Sequence, residues 1–538
     1  MSFLIAAVLV QFAVGFGPSV RTEPVTGRVF VLLSHDSVPE PRYQGGTLGA
    51  NAPFFGQDVT GLAPGHFAVL GTASPGFPCA RISDLPPGDY YVQAVLSVYT
   101  QFHRADGHTI WAHMDQWEGQ HPMESPGNLV SRVKRVHIAP NTGTIRLELT
   151  DVIPPITVPS DTKWIKHIKI QSEILSKFWG HPMYLGAVVL LPSGYDEHPD
   201  QSYPVDYEQD HFSLSPPYHF QSEDPGTVDS TKEGHRAWVI NLRRREGYRL
   251  YQDWTSDSFP RMLMVTFLHP TPYFDDSYAV NSANNGPYGD AIMQELIPYI
   301  ESRFRIIRQP YARVLSGGST GGWESLALQV QHPDFFGGAW VYYPDPVDFR
   351  EWGLVDIYND SNAFMAPGAH WVIPERPMMR SADGQVLITE RQESQLEAAL
   401  GSHGRSAEQE DAWEVVYGPV GTDGYPVPLW DKRTGVINHD VARYMRDHGY
   451  DLTAYLRENW SRLSNQLGGK LHFYVGDMDN FYLNMAVYRA DTLLHSSASF
   501  DYGRPAKGHG FRPTSTGDML RAMARQIANN ASTGGASR

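Results

Sequence analysis

The chain has 538 residues, enough for two or three domains, and its 41% hydrophobic and 12% aromatic content is that of a globular protein. Forty-three basic residues against 59 acidic ones give a net charge of -16, which argues against nucleic acid as a partner, because phosphate binding needs clustered Lys and Arg. The single cysteine, Cys79, excludes an intramolecular disulfide and a Cys-based zinc site.

Residues 3–16 (FLIAAVLVQFAVGF) are almost wholly apolar. They are too few to cross a bilayer as a helix, so no membrane span is expected. Two readings stay open. A secretory signal over 1–23 would make the protein secreted or periplasmic, although no Lys or Arg precedes the run and no Ala-x-Ala site follows it. A buried first strand, or a misplaced start codon, would leave the cytoplasm equally open.

Residues 24–155 read as all-β. GRVFVLLS (27–34), DYYVQAVLSVYT (89–100), SRVKRVHIA (131–139) and GTIRLELTDV (143–152) are strand-like runs separated by Gly, Pro and Asn turns. A β-sandwich-like accessory domain is expected, followed by a stiff Pro-rich linker at 151–160. From 163 to 530 strand and helix patterns alternate, with strands at 185–192, 203–207, 262–270, 312–315, 338–343 and 471–475. A helix is expected over 288–304. Strands alternating with helices imply a mostly parallel sheet covered on both faces. Residues 350–468 break this rhythm with an acidic helical piece (TERQESQLEAAL) and an amphipathic helix through Val441 to Leu467. This block is expected to be a cap or insertion beside the active site. A final helix at 517–528 leads into a polar tail, placed at 531–538.

The chemistry concentrates at Gly317-Gly318-Ser319-Thr320-Gly321, which fits G-x-S-x-G. That pattern places a serine on a strained turn between a strand and a helix. A side chain at either flanking glycine would clash where backbone meets backbone. The flanks agree. Ala312-Arg313-Val314-Leu315 is β-prone, and Trp323, Leu326, Ala327 and Val330 have the spacing of a buried helical face. His332-Pro333 stops that helix.

A serine needs a general base, and the base needs an orienting acid. In this fold the chain order is Ser, Asp or Glu, then His. The acid belongs just past a core strand, and Leu471–Val475 is followed by Gly476-Asp477-Met478-Asp479-Asn480-Phe481, where Asp477 and Asp479 compete. The run lacks the further oxygen ligands of a calcium loop, so no metal or other cofactor is expected. The base is expected at Gly508-His509-Gly510, ahead of the last helix. His495, the other histidine after Asp479, lies in a helix-like run.

These residues resemble the putative-esterase (esterase D-like) family of α/β-hydrolases, which includes feruloyl, acetylxylan and enterobactin esterases. The resemblance runs from about 163 to 530 and leaves 350–468 largely uncovered. It rests on Tyr203-Pro-Val205, Asp275-Asp-Ser-Tyr278, Gly286-Pro-Tyr288, Glu295-Leu-Ile-Pro298, Gly317–Gly322, Gly476-x-x-Asp479-Asn-Phe481 and Gly508-His509. Its G-x-x-D-x-F form favours Asp479. The resemblance implies hydrolysis of a small-molecule or polysaccharide-linked ester through an acyl-enzyme on Ser319. It also implies an oxyanion hole built from the Thr320 N–H and one further donor. The family's His-Gly is missing there: Tyr207-Glu-Gln-Asp-His211-Phe212 leaves His211 or Phe212 as the second donor. Acyl transfer on the same triad, and a non-catalytic carbohydrate-binding or surface protein with a decayed fold, are the alternatives.

Overall fold

The computed structural model describes residues 10–534 apart from 48, 50, 51, 114–120, 229–234 and 369–373, and two large sheets organise them. The N-terminal part is all-β. Nine of its strands are hydrogen-bonded into one sheet, and Thr100–His103 and Thr109–Ala112 pair as a separate hairpin. Alternation along one strand decides what each face packs against. Val29, Val31 and Leu33 face a core that belongs to this sheet alone. Phe30 and Leu32 face the other way and pack against Leu396, Ala399 and Leu400 from the insertion. Gln11–Phe16 is a buried strand, parallel to Thr144–Val152 and antiparallel to Phe67–Leu70. The strand reading of the apolar start therefore accounts for these six residues, and residues 1–9 lie outside the described ones. Residues 154–163 are exposed and lack regular structure, as the Pro-rich composition suggested.

The second sheet has eight strands: β1 (Ile165–Ser172), β2 (Met183–Leu190), β3 (Val205–Gln209), β4 (Leu263–Leu268), β5 (Arg313–Gly318), β6 (Ala339–Tyr342), β7 (Leu471–Tyr474) and β8 (Ala498–Asp501). Their spatial order is 1-2-4-3-5-6-7-8. The β1–β2 and β2–β4 pairs are antiparallel and all others parallel. Helices cover both faces, so β2 to β6 are buried almost throughout, and β2, β4 and β6 read as largely apolar runs. The sequence reading missed the two edge strands, β1 and β8. Both are partly exposed and carry polar residues, which is how edges avoid unwanted pairing and why their pattern is weak.

Two helices differ from expectation. The helix over 288–304 is interrupted: α-helical turns at Tyr288–Ala291 and Ile297–Arg303 flank a π turn at Ile292–Leu296. Pro298 has no N–H to donate, so the regular ladder cannot run through it. The helix through 441–467 is two helices, His439–Asp447 and Leu452–Leu467, broken at Gly449 with φ 81.

Register fixes the site. Gln209 pairs with Gly317, Gly318 with Tyr342, Tyr342 with Tyr474, and Tyr474 with Asp501. The loops leaving β3, β5, β6, β7 and β8 therefore emerge along one edge. On β5 follows helix α1 (Thr320–Gln331). The insertion contributes α2 (Glu390–Leu400), started by a capping box of Thr389 and Gln392, and α3 (Gln409–Tyr417).

Arg28, on the N-terminal sheet, caps the end of α2. Its guanidinium donates to the carbonyls of Ala398 (3.0 Å) and Ala399 (2.9 Å) and pairs with Asp58 at 2.6 Å. A cation on the last carbonyls of a helix also suits the helix dipole. Each hydrogen bond to a charged group is worth about 1.5–3 kcal/mol. Arg28→Ala is expected to lower the stability of the whole chain by about 2–4 kcal/mol in a denaturant titration. A loss below about 0.5 kcal/mol, the range of ordinary surface changes, would contradict this anchor.

Candidate active site

Ser319 sits between β5 and α1 with φ 58 and ψ -120. A non-glycine residue there is strained by about 1–3 kcal/mol, and the surroundings must enforce it. They do so through backbone contacts. A Cβ on Gly317 would lie 2.3 Å from the Gly321 carbonyl, and one on Gly321 would lie 2.1 Å from that of Gln209. The Ser319 N–H donates to the Tyr342 carbonyl at 3.0 Å, and its carbonyl accepts from the Asp345 N–H at 3.1 Å. The elbow is thus clamped between β3 and the loop after β6.

Asp479 is fully buried. Its Oδ1 accepts from the N–H groups of Phe481 (2.9 Å) and Leu483 (3.3 Å), and its Oδ2 lies 2.9 Å from His509 Nδ1. Asp477 instead accepts the Lys507 N–H at 3.0 Å, so it ties the two loops together without touching the imidazole. The His509 N–H donates to Asn480 Oδ1 at 2.8 Å. Gly476 lets the loops meet, since a Cβ there would lie 2.1 Å from the Lys507 carbonyl. The His509 ring leans edge-on against Tyr343 and Phe481, with ring centres 4.7 and 5.0 Å away. Tyr343 also packs on Gly318, and Phe481 lines the cavity that contains Ser319. The structure therefore gathers Ser319, Asp479 and His509 at one edge of the sheet.

The Ser319 hydroxyl donates to Asp345 Oδ1 at 3.3 Å. Asp345 is buried, and its Oδ2 accepts from Tyr278 (2.7 Å), Thr320 Oγ1 (3.0 Å), Gln409 (3.1 Å) and Trp413 (3.2 Å). Burial raises its pKa, and the bonds from Tyr278, Trp413 and Thr320 oppose the rise. Sequence reasoning missed Asp345. It follows a core strand, β6, and precedes His509, so it met the same search rule as Asp477 and Asp479.

Thr320 is the first residue of α1, and its N–H is one of those with no acceptor within the helix. The expectation of a second backbone donor at His211 needs correction. Its N–H donates to Asp210 Oδ1 at 2.9 Å. Its ring pairs with Asp275 at 3.0 Å. Although burial opposes it, the Asp275 carboxylate pushes the imidazole up to about 10, so the ring is charged at neutral pH. Phe212 packs against the core beneath α/β strands β2 and β4.

Ser319 opens on a cavity of about 180 Å³ walled by Trp352, Trp413 and Phe481 and by four glutamates of the insertion. A larger cleft of about 740 Å³ is lined by Gly317, Gly318, Tyr343 and Arg512, but not by Ser319. Among the described residues, His269, Asp276 and Glu324 form one buried group close enough to hold a metal ion. His269 Nδ1 accepts the Ser277 N–H at 3.2 Å, which leaves the proton of the neutral ring on Nε2, 3.8 Å from Glu324. In that tautomer Nε2 offers no lone pair to a metal, and at this distance it makes no hydrogen bond to Glu324.

Strand order, a strained serine on the strand-to-helix turn and a buried Asp–His pair on one sheet edge define an α/β-hydrolase domain, preceded by an all-β region. Residues 183–382 match the family model described as Putative esterase. A ferulic acid esterase structure is similar at 15% identity, covering 68% of this chain and 99% of its own, with a TM-score of 0.32. An S-formylglutathione hydrolase from Agrobacterium tumefaciens shares 12% identity over 69% of this chain and 99% of its own, TM-score 0.31. A ferulic acid esterase from Anaeromyces mucronatus shares 12% over 69% and 92%, TM-score 0.28. A comparison with curated proteins returns no match.

Burial pushes several carboxyls near this edge upward: Glu390 and Asp206 to about 7, Glu408 and Glu208 to about 8. A group whose pKa is higher in the folded chain holds more protons there than when unfolded. Its stabilising effect is complete below the unfolded value and disappears as pH rises through the folded one. Thermal stability is therefore expected to fall between about pH 5 and pH 8, and Glu408→Gln should flatten the upper part of that slope. A melting temperature that rises across this window would overturn the account.

Proposed function

We propose that Ser319 is acylated by an ester substrate, with His509 as general base and acid and Asp479 as the group that orients it. One observation carries this reading: the buried Asp479 carboxylate holds His509 Nδ1 on the edge where Ser319 is presented. With Nδ1–H fixed on Asp479, the lone pair of Nε2 is left to receive the serine proton. The hydroxyl must first leave Asp345 and turn to the imidazole. Hydrogen bonds of this kind commonly tighten only once substrate is bound.

Attack of Oγ on the ester carbonyl places negative charge on its oxygen. The Thr320 N–H at the start of α1 is one donor for it, and the helix dipole adds to it. In place of a second backbone N–H at 211, the charged His211 ring supplies positive potential, and its field reaches as far as Asp345. His509 then protonates the leaving alcohol. Water, deprotonated by His509 in turn, releases the acid and regenerates Ser319. Of the aromatic and carbohydrate-linked esters that the sequence suggests, the aromatic acyl group suits the cavity, because Trp352, Trp413 and Phe481 offer flat apolar surface beside Ser319.

A fluorophosphonate probe is expected to label Ser319, and Ser319→Ala should abolish both labelling and p-nitrophenyl acetate hydrolysis. Asp479→Asn should cut kcat about 10⁴-fold by allowing the wrong imidazole tautomer, whereas Asp477→Asn should keep most activity. A wild-type protein that neither labels nor turns over would end the proposal. Equal losses in the two aspartate variants would end the assignment of the acid.

A further inference from the structure

The cavity at Ser319 has two unlike walls. Trp352, Trp413 and Phe481 are aromatic, and Glu390, Glu393, Glu408 and Glu410 face the same space. No Lys, Arg or His is among the described residues that line it. Glu390, Glu393 and Glu410 are 2%, 1% and 3% exposed, so solvent does not relieve them. The Oε2 atom of each lacks a donor. Glu390 and Glu410 lie against each other and can share one proton. Glu393 has no such neighbour, and its Oε2 remains unpartnered at the cavity wall.

The cations nearby have their direct partners elsewhere and reach Glu390, Glu393 and Glu408 only through space. Lys432 binds Glu397 at 2.5 Å and also Asp411. Arg376 pairs with Asp360 at 2.9 Å, and His121 lies 3.4 Å from Asp275. What the wall lacks is a small group that brings both positive charge and several N–H donors. Aromatic faces beside it favour a cation over a neutral group. A hydroxylated sugar would bring donors but no charge. A bare metal ion would make no use of the tryptophans.

Building on the esterase reading above, we propose that this cavity is a subsite for an alkylammonium group carried by the ester substrate. The ammonium donates to Glu393 and to the Glu390–Glu410 pair, with Trp352 and Trp413 flanking it. The empty site is held partly protonated, since burial raises all four glutamates. Binding a cation must therefore expel protons, and binding an alcohol of the same shape must not.

The test uses n-hexylammonium and n-hexanol as inhibitors of p-nitrophenyl acetate hydrolysis by the full chain. Hexylammonium is expected to bind about ten- to a hundredfold more tightly, the range of charge-assisted hydrogen bonds. In the double variant Glu390→Gln, Glu393→Gln that ratio should drop toward one. Calorimetry on the wild type in two buffers of different ionisation enthalpy gives a second readout, net proton release with the amine and none with the alcohol. Hexanol binding as tightly as hexylammonium, an unchanged ratio in the variant, or no proton release would each overturn the subsite. Absence of acetate turnover would count against the esterase reading alone, because the calorimetric comparison can be made on Ser319→Ala.

Discussion

A serine at φ 58 and ψ -120 cannot hold itself there, and most of the catalytic edge is arranged around keeping it in place. The contacts that do so are backbone against backbone, through Gly317, Gly321 and the end of β3. Backbone contacts of this kind do not relax by changing rotamers, so the hydroxyl's position is set by the sheet itself. The loop after β6 then closes over the turn from the other side and brings Asp345 with it. The same clamp that strains the serine therefore decides which carboxylate it meets at rest.

The insertion is less a lid than a second wall built of acid. Glu390, Glu393 and Glu397 repeat along α2 at a spacing that puts them on one side of the helix, and that side is buried. Glu410 and Glu414 do the same on α3. Buried carboxyls of like charge disfavour ionisation, so this wall stores protons at neutral pH. Lys432 forms its ion pairs with Glu397 and Asp411, and it reaches Glu393 and Glu414 only through space. The part that Ser319 faces has no cation in direct contact.

Much of this was legible in the sequence, for a definable reason. Strands buried on both faces leave largely apolar runs, so β2, β4 and β6 stand out, and the glycines around Ser319 mark a turn that only they can make. Asp479 and His509 followed from chain order and from the loops they occupy. What stayed hidden depends on tertiary contact. The edge strands β1 and β8 have no clean period. Pro298 within a helical pattern allowed either a kink or a π turn, and packing chose. Asp345 is hidden because it follows β6, one strand before the loop that carries Asp477 and Asp479. The glutamates of α2 do carry a signal, an acidic helical piece, yet acids at helical spacing read as a solvated face until burial is known.

The grip of Arg28 on the last turn of α2 links the N-terminal sheet to the wall of the active-site cavity. Gly56 allows the close approach, because a Cβ there would lie 2.1 Å from the Ala399 carbonyl. The all-β unit is thus no detachable appendage. Cutting the chain in the exposed stretch near residue 160 would strip the apolar partners from Leu396, Ala399 and Leu400 and uncap the helix that presents Glu390 and Glu393. The minimal catalytic unit of this protein is consequently larger than its hydrolase sheet, and evolution could not exchange the front module without also redrawing the substrate pocket.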